Sequence, residues 1–306
     1  MLSGFTRTAA ILVAFLLGAL LPQAHVAAGA IRWLIMGMLF FVFLGTTWTF
    51  QSLYRSQVVL LAANLLMAFV GLALGWLVGG RDVGLAGFFA GVAPTAAAAP
   101  VIISFMRRDV TYVTASFLLT NVVIAALLPV LLPWVLGDVD AALFGRIAGS
   151  VGLIIFAPMA LALIVRRIHP PAMSWPGRLR DVSFGAWMTT LFLVMANASH
   201  FLRTQADAPR LVVVEIAVVT LVICAANFAL GRWIGERTYA AEASQSLGQK
   251  NTSFTLYLAL AYASPLIALG PTCYILWHNL WNGWQLHRVH RTQPIANHRS
   301  HLSLNK

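Results

Sequence analysis

Apolar residues run along this chain in blocks of about 20, the length a helix needs to cross the hydrocarbon of a bilayer. Ten blocks are legible, at 8–24, 31–50, 57–79, 83–106, 110–136, 141–166, 181–202, 209–232, 238–263 and 265–286. The pattern predicts an all-α membrane protein with ten transmembrane helices. Residues 287–306 are expected to form a basic cytoplasmic tail.

Composition supports lipid as the solvent. Of 306 residues, 60% are hydrophobic and 9% charged, against roughly 25% charged in soluble domains. The net charge of +11 does not point to nucleic acid, because the positive residues punctuate the ends of the blocks. Fourteen fall on one side: Arg7, Arg55, Arg107, Arg108, Arg166, Arg167, Arg178, Arg180, Arg232, Arg237, Arg288, Arg291, Arg299 and Lys306. Five fall on the other, namely Arg32, Arg81, Arg146, Arg203 and Arg210, and Lys250 lies inside a block. By the positive-inside rule both termini are expected in the cytoplasm, and the protein is expected in the cell's inner (plasma) membrane. Residues 1–30 also fit a cleaved secretory signal, with Arg7, a short apolar run and small residues near Ala27–Ala30; a retained first helix is preferred, because a two-fold division of the chain needs it. Trp48, Trp76, Trp134 and Trp233 sit near block ends, as interfacial anchors do.

Ten spans divide into two sets of five, 1–136 and 141–286. An odd number per set gives the two sets opposite orientation, as in inverted repeats whose binding site is built from discontinuous helices. The fourth span carries Gly91-Val92-Ala93-Pro94-Thr95, four alanines and Pro100, where each proline removes a backbone donor and obstructs a helix. The ninth carries the polar run Ser246-Leu247-Gly248-Gln249-Lys250-Asn251-Thr252-Ser253. Broken helices at membrane depth are tolerated only inside protein or beside water. Their ends expose N–H groups suited to an anion and carbonyls suited to a cation. Two breaks in corresponding spans mark the expected site.

These residues resemble the bile acid:sodium symporter family over nearly the whole chain. The resemblance is carried by Gly91-x-x-Pro94, Gly248-x-x-Asn251, and Trp277-His278-Asn279 with Gly283. It implies a panel of spans 1, 2, 6 and 7 and a core of spans 3, 4, 5, 8, 9 and 10, with the broken spans 4 and 9 crossing near the midplane. It also implies a secondary transporter of a small organic anion, usually driven by sodium, in which the core moves against the panel.

The departures from the family pattern bear on the ion. A Ser-Asn pair of the first sodium site falls on Ala99-Pro100, a Ser and a Thr fall on Val113 and Phe117, and a Glu falls on Ser246. Sodium, a hard cation, wants oxygen ligands, so this first site is expected to be lost. At the second site a Gln corresponds to Asn64, and a Met and a Gln correspond to Gln249 and Lys250. An ammonium there would repel sodium and supply its charge. An unpaired one at membrane depth costs roughly 3 kcal/mol on insertion scales and is a functional candidate by default. Four roles stay open for Lys250: a fixed surrogate cation, a proton carrier, a partner of the anionic substrate, or a side chain that snorkels outward or pairs with Glu242. The surrogate cation ranks first among the functional roles.

Asn251, Thr252 and Ser253 follow the second break and offer donors to a ligand, and Asn121 lies close in a core span. Asn197, His200, Glu215 and Asn227 read as helix–helix contacts, and His278 and Asn279 likewise. No carboxylate pair, Ser/His/Asp grouping or metal spacing occurs in the spans, so an enzyme is not expected. Cys224 and Cys273 lie in apolar runs and read as packing residues, and His287, His290, His298 and His301 as a solvated basic tail rather than a metal site. No cofactor is implied beyond the doubtful sodium, and the partners implied are the organic anion and membrane lipid. A true sodium:organic anion symporter and a non-transporting sensor remain the alternatives. The substrate's identity and the oligomeric state are left open.

Overall fold

A computed structural model of the chain describes residues 4–46, 53–204 and 210–292. The described residues are helical throughout, with a single isolated β-bridge and no strand. The helices are α1 (Gly4–Leu20), α2 (Ala30–Gly45), α3 (Arg55–Val92), α4 (Ala98–Phe105), α5 (Val110–Leu136), α6 (Ala141–Val151), α7 (Ala157–Ile168), α8 (Trp175–Arg178), α9 (Arg180–Thr204), α10 (Arg210–Ile234), α11 (Ala240–Gly248), α12 (Thr252–Tyr262) and α13 (Leu269–Thr292). Five segments are long and apolar enough to cross a membrane: Arg55–Val92, Val110–Leu136, Ala141–Ile168, Asp181–Thr204 and Leu211–Ile234. α2 is apolar but shorter.

The outward faces are as apolar as the interior. Along α10, Leu211, Val214, Val218, Leu221 and Val222 are exposed at helical spacing, while Ile216, Val219 and Ile223 are buried. Leu77 is 85% exposed and Trp233 77%. A helix apolar on all sides belongs in lipid. Trp76, Trp134 and Trp233 all stand outward, and Trp48 lies outside the described residues.

Several boundaries differ from the expectation. The first helix stops at Leu20 because Pro22 opens a 3-10 turn, Pro22–Ala27. The tenth begins at Leu269 rather than 265 and continues to Thr292, so residues 287–292, expected as tail, prolong the last helix. The sixth is one continuous rod, 141–168, with a π-helical turn at Gly152–Phe156 just before Pro158, whose missing N–H interrupts the regular ladder.

The third and fourth blocks meet in a two-residue turn inside α3. Gly79 (φ −144°, ψ 22°) and Gly80 (φ 78°, ψ −157°) leave the helix there, and the conformation of Gly80 is open essentially to glycine alone. The chain returns as a half-helix, 81–92, packed backbone to backbone on 55–78. A Cβ on Gly71 would stand 2.6 Å from the Gly87 carbonyl oxygen, and one on Gly91 2.7 Å from the Ala68 Cα. Small residues at this spacing let membrane helices approach closely and gain dispersion contacts where hydrophobic burial offers nothing. α10 packs on α3, α11 and α13, whereas α1 and α2 pack mainly on α9 and α7. The half-helix 81–92 is thereby fixed at the depth of the two breaks.

Gly71→Ala is expected to destabilise the protein by about 1–3 kcal/mol through overpacking. Gly145→Ala, where a Cβ meets nothing within 4 Å, is expected to be neutral or slightly stabilising. Thermal melting of the two variants side by side, in one lipid or detergent, checks the pair.

Candidate functional site

Both expected breaks are present, and they face each other. The half-helix 81–92 ends before Pro94, and α4 starts at Ala98; α11 ends at Gly248, and α12 starts at Thr252. Between them, residues 94–96 and 249–251 run antiparallel. Ala96 N donates to the Gln249 carbonyl at 2.7 Å, and Asn251 N donates to the Pro94 carbonyl at 2.7 Å, pairing Thr95 with Lys250. The second break is shorter than the polar run suggested, because Ser246 is still helical and Thr252 and Ser253 are helical again. Pro100 does not break a helix either: it occupies the first turn of α4, where no N–H is needed.

Side chains meet most of the remaining backbone groups. Thr95 N donates to Thr120 Oγ1 at 3.1 Å, Asn121 Nδ2 donates to the Thr95 carbonyl at 2.9 Å, and Thr95 Oγ1 donates to the Ser246 carbonyl at 2.6 Å. The Tyr274 hydroxyl donates to the Gly248 carbonyl at 2.9 Å and accepts from Asn227 Nδ2 at 3.0 Å. Asn282 Nδ2 donates to Gln249 Oε1 at 2.5 Å. Asn121 therefore belongs to the crossover, as the sequence suggested, and Thr120, Tyr274 and Asn282 join it unannounced. The run Ser116-x-x-x-Thr120-Asn121 inside an apolar span was the available signal for the first of these.

Lys250 is 1% exposed. Its ammonium donates to the Gly91 carbonyl at 2.8 Å and to Asn64 Oδ1. The Gly91 carbonyl lacks its helical partner because the N–H of Thr95 turns to Thr120, so Lys250 occupies a C-terminal acceptor of the half-helix, where positive charge is favoured. Snorkelling is thus excluded. So is pairing with Glu242, whose Oε1 accepts instead from Asp109 N at 3.1 Å while its Oε2 is buried without a partner.

Three of the positions expected to have lost the first sodium site lie among hydrocarbon, while the fourth span's Pro100 is half-buried and Ser246 brings a hydroxyl. Ala99 and Val113 are fully buried in an apolar cluster with Leu60, Ile103 and Leu247, and Phe117 packs with Phe43. Three buried side-chain oxygens close to Thr95 in the bonding network nevertheless have no partner: Ser116 Oγ, Asn121 Oδ1 and Ser246 Oγ. Ser253 is half-buried, and its hydroxyl hydrogen-bonds to nothing among the described residues.

Other expectations are corrected. His278 and Asn279 do not bond a neighbouring helix: His278 Nδ1 is buried and unpartnered, and Asn279 Nδ2 donates to the Ile275 carbonyl of its own helix. Trp277 makes that bridge, its Nε1 reaching the Ala217 carbonyl at 3.1 Å and Thr220 Oγ1 at 3.2 Å on α10. His200 stacks on His25 with ring centroids 3.5 Å apart, and the Glu215 carboxylate lies against the Gly79 turn. The side chains of His287 and His290, and the whole of His298 and His301, lie outside the described structure. Among the described residues no group of three His, Cys, Asp or Glu could hold a metal.

A double-mutant cycle tests the Lys250 contact. Lys250→Met and Asn64→Leu are expected to couple by about 1 kcal/mol or more in stability, as contacting residues do, whereas Lys250→Met and Glu242→Gln are expected to add within about 0.5 kcal/mol. Additivity of the first pair would place the ammonium elsewhere.

Neither a protein-family model nor any curated protein sequence matches this chain.

Proposed function

We propose that the chain is a ten-span secondary transporter that moves an organic anion by alternating access, with sodium coupling lost or altered and Lys250 as a fixed cation at the crossover. In this reading the two sets of five spans are inverted repeats, the helices around the crossover form a moving core, and α1, α2, α6, α7 and α9 form a panel against it. The resemblance to the bile acid:sodium symporter family belongs to this reading.

One observation carries it: two interrupted helices meet through backbone hydrogen bonds, and a buried ammonium sits on the carbonyl end of one of them. Interrupted helices facing each other are the architecture of an ion or substrate site. A tethered ammonium supplies the charge of a bound cation yet cannot leave, so no sodium gradient can be spent through it. The helix N-termini at the same crossing, α4 after Ala97 and α12 after Asn251, have no side-chain cap. The positive partial charge at these two helix starts favours an anion.

A second reading, a true sodium symporter, is favoured by the unpartnered oxygens of Ser116, Asn121 and Ser246. Hard oxygen donors are what sodium requires.

Uptake of a panel of labelled organic anions into proteoliposomes, with sodium, potassium or a pH gradient as the only variable, separates the readings. Sodium-independent uptake abolished by Lys250→Gln is expected. Strong sodium dependence would favour the second reading, and flux untouched by Lys250→Gln would remove Lys250 from the mechanism. Ligand binding without flux would leave a sensor.

A further inference from the structure

Away from the crossover, a cavity of about 790 Å³ opens where α3, the end of α5 and residues 261–267 meet α6 and α9. That volume lies in the range of small-molecule sites. Its charged lining is balanced: Arg81 and Asp82 come from the turn into the half-helix, Asp138 from the end of α5, and Arg146 from α6. Among the described residues none of the four is in an ion pair. Arg81 Nη2 donates to the Leu136 carbonyl at 2.7 Å, which holds that guanidinium in place and leaves other donors free. The Arg146 side chain has no hydrogen bond among the described residues, while its backbone carbonyl accepts from the Tyr262 hydroxyl at 2.9 Å. That bond ties α6 to the segment that floors the cavity. Leu85, Phe201, Leu266 and Ile267 supply apolar surface.

We propose that this cavity binds a zwitterionic organic acid bearing an apolar group, its carboxylate toward Arg146 and Arg81 and its ammonium toward Asp82 and Asp138. A ligand of one sign would meet as many like charges as opposite ones, and the attraction would largely cancel. A ligand of both signs complements the lining in one orientation. The apolar wall takes its hydrocarbon part. The proposal goes beyond the carrier reading, at a site separate from the crossover, and stands whether or not the chain moves an anion.

Three compounds with one body test it: phenylalanine, 3-phenylpropionate and phenethylamine, titrated calorimetrically into the full chain in lipid nanodiscs. Phenylalanine is expected to bind about fivefold or more tighter than either single-charge analogue, the size of effect that exposed charge pairs supply. Arg146→Gln should weaken phenylalanine and 3-phenylpropionate and spare phenethylamine. Asp138→Asn should weaken phenylalanine and phenethylamine and spare 3-phenylpropionate. A collapsed cavity would lose all three ligands together, so the selectivity within each variant carries the result, and the two variants supply it independently. Equal affinity for phenylalanine and 3-phenylpropionate, no binding by any of the three, or an order that both substitutions leave intact would overturn the proposal. Binding in the expected order, with no uptake of organic anions in proteoliposomes, would overturn the carrier reading and keep the site. Uptake of simple anions without that order would do the reverse.

Discussion

A backbone that leaves the helix where water is absent must find a partner for every N–H and C=O it releases, and the rest of this structure is arranged around that requirement. Two interruptions at one level release two sets of orphans, and each break is the other's main partner. Pro94 and Gln249 accept from Asn251 and Ala96. Pro94 needs no donor of its own. What the breaks cannot satisfy between them is taken by Thr120 and Asn121 of α5, Tyr274 of α13, Asn64 of α3 and Lys250. Polar residues of three helices, with Lys250 of the second break itself, are thus spent on a few residues of irregular chain. This explains why they cluster at one depth while the outer faces remain apolar.

The same requirement couples the helices mechanically. α3 carries the half-helix through the tight Gly71 and Gly87 contact, and α10 packs on α3, α11 and α13. Moving one break without the other would strand several buried hydrogen-bonding groups at once, each costing about 1–3 kcal/mol. The crossover and its helices therefore move, if they move, as a unit. In the proposed carrier such a unit slides along the surface toward α1, α2, α6 and α9, where few polar ties occur. Tyr262, bonded to the Arg146 carbonyl and to Ser150, is one such tie, and it would have to be exchanged in any such movement.

The long spans and the two breaks were legible because their signals are local: unbroken apolar length, glycine with proline, and a polar octet in an apolar stretch. The boundaries were less legible, since Pro22 and Pro158 act through turn types that hydrophobic length does not encode. The partner of Lys250 could not be read at all. Asn64 stands 186 positions away and the Gly91 acceptor is a backbone atom that sequence does not display. Glu242 was the nearer carboxylate in sequence, yet the α11 helix points it toward the backbone N–H of Asp109. The His278-Asn279 pair misled for the converse reason: a short pattern fixes residue types but not which face of α13 meets α10, and that face presents Trp277. The grouping of the cavity charges could not be read either, because nothing in the sequence brings the adjacent Arg81 and Asp82 beside Asp138 and Arg146.

The charge of Lys250 is matched by its place in the fold rather than by an acid. A helix C-terminus carries a partial charge of about −0.5, and two such ends, those of the half-helix 81–92 and of α11, arrive at the crossover within three residues of the Thr95–Lys250 pair. Together they supply about one negative charge, roughly what a single ammonium needs. A carboxylate partner would over-compensate it and make a closed ion pair, indifferent to anything nearby. Backbone dipoles do not. They hold the ammonium at Gly91, while the N-termini of α4 and α12, which carry no side-chain cap, add positive partial charge on the other side. The crossing is then balanced on its carbonyl side and still positive on its amide side. That asymmetry is the physical basis for expecting an anion, rather than a second cation, to be drawn to it.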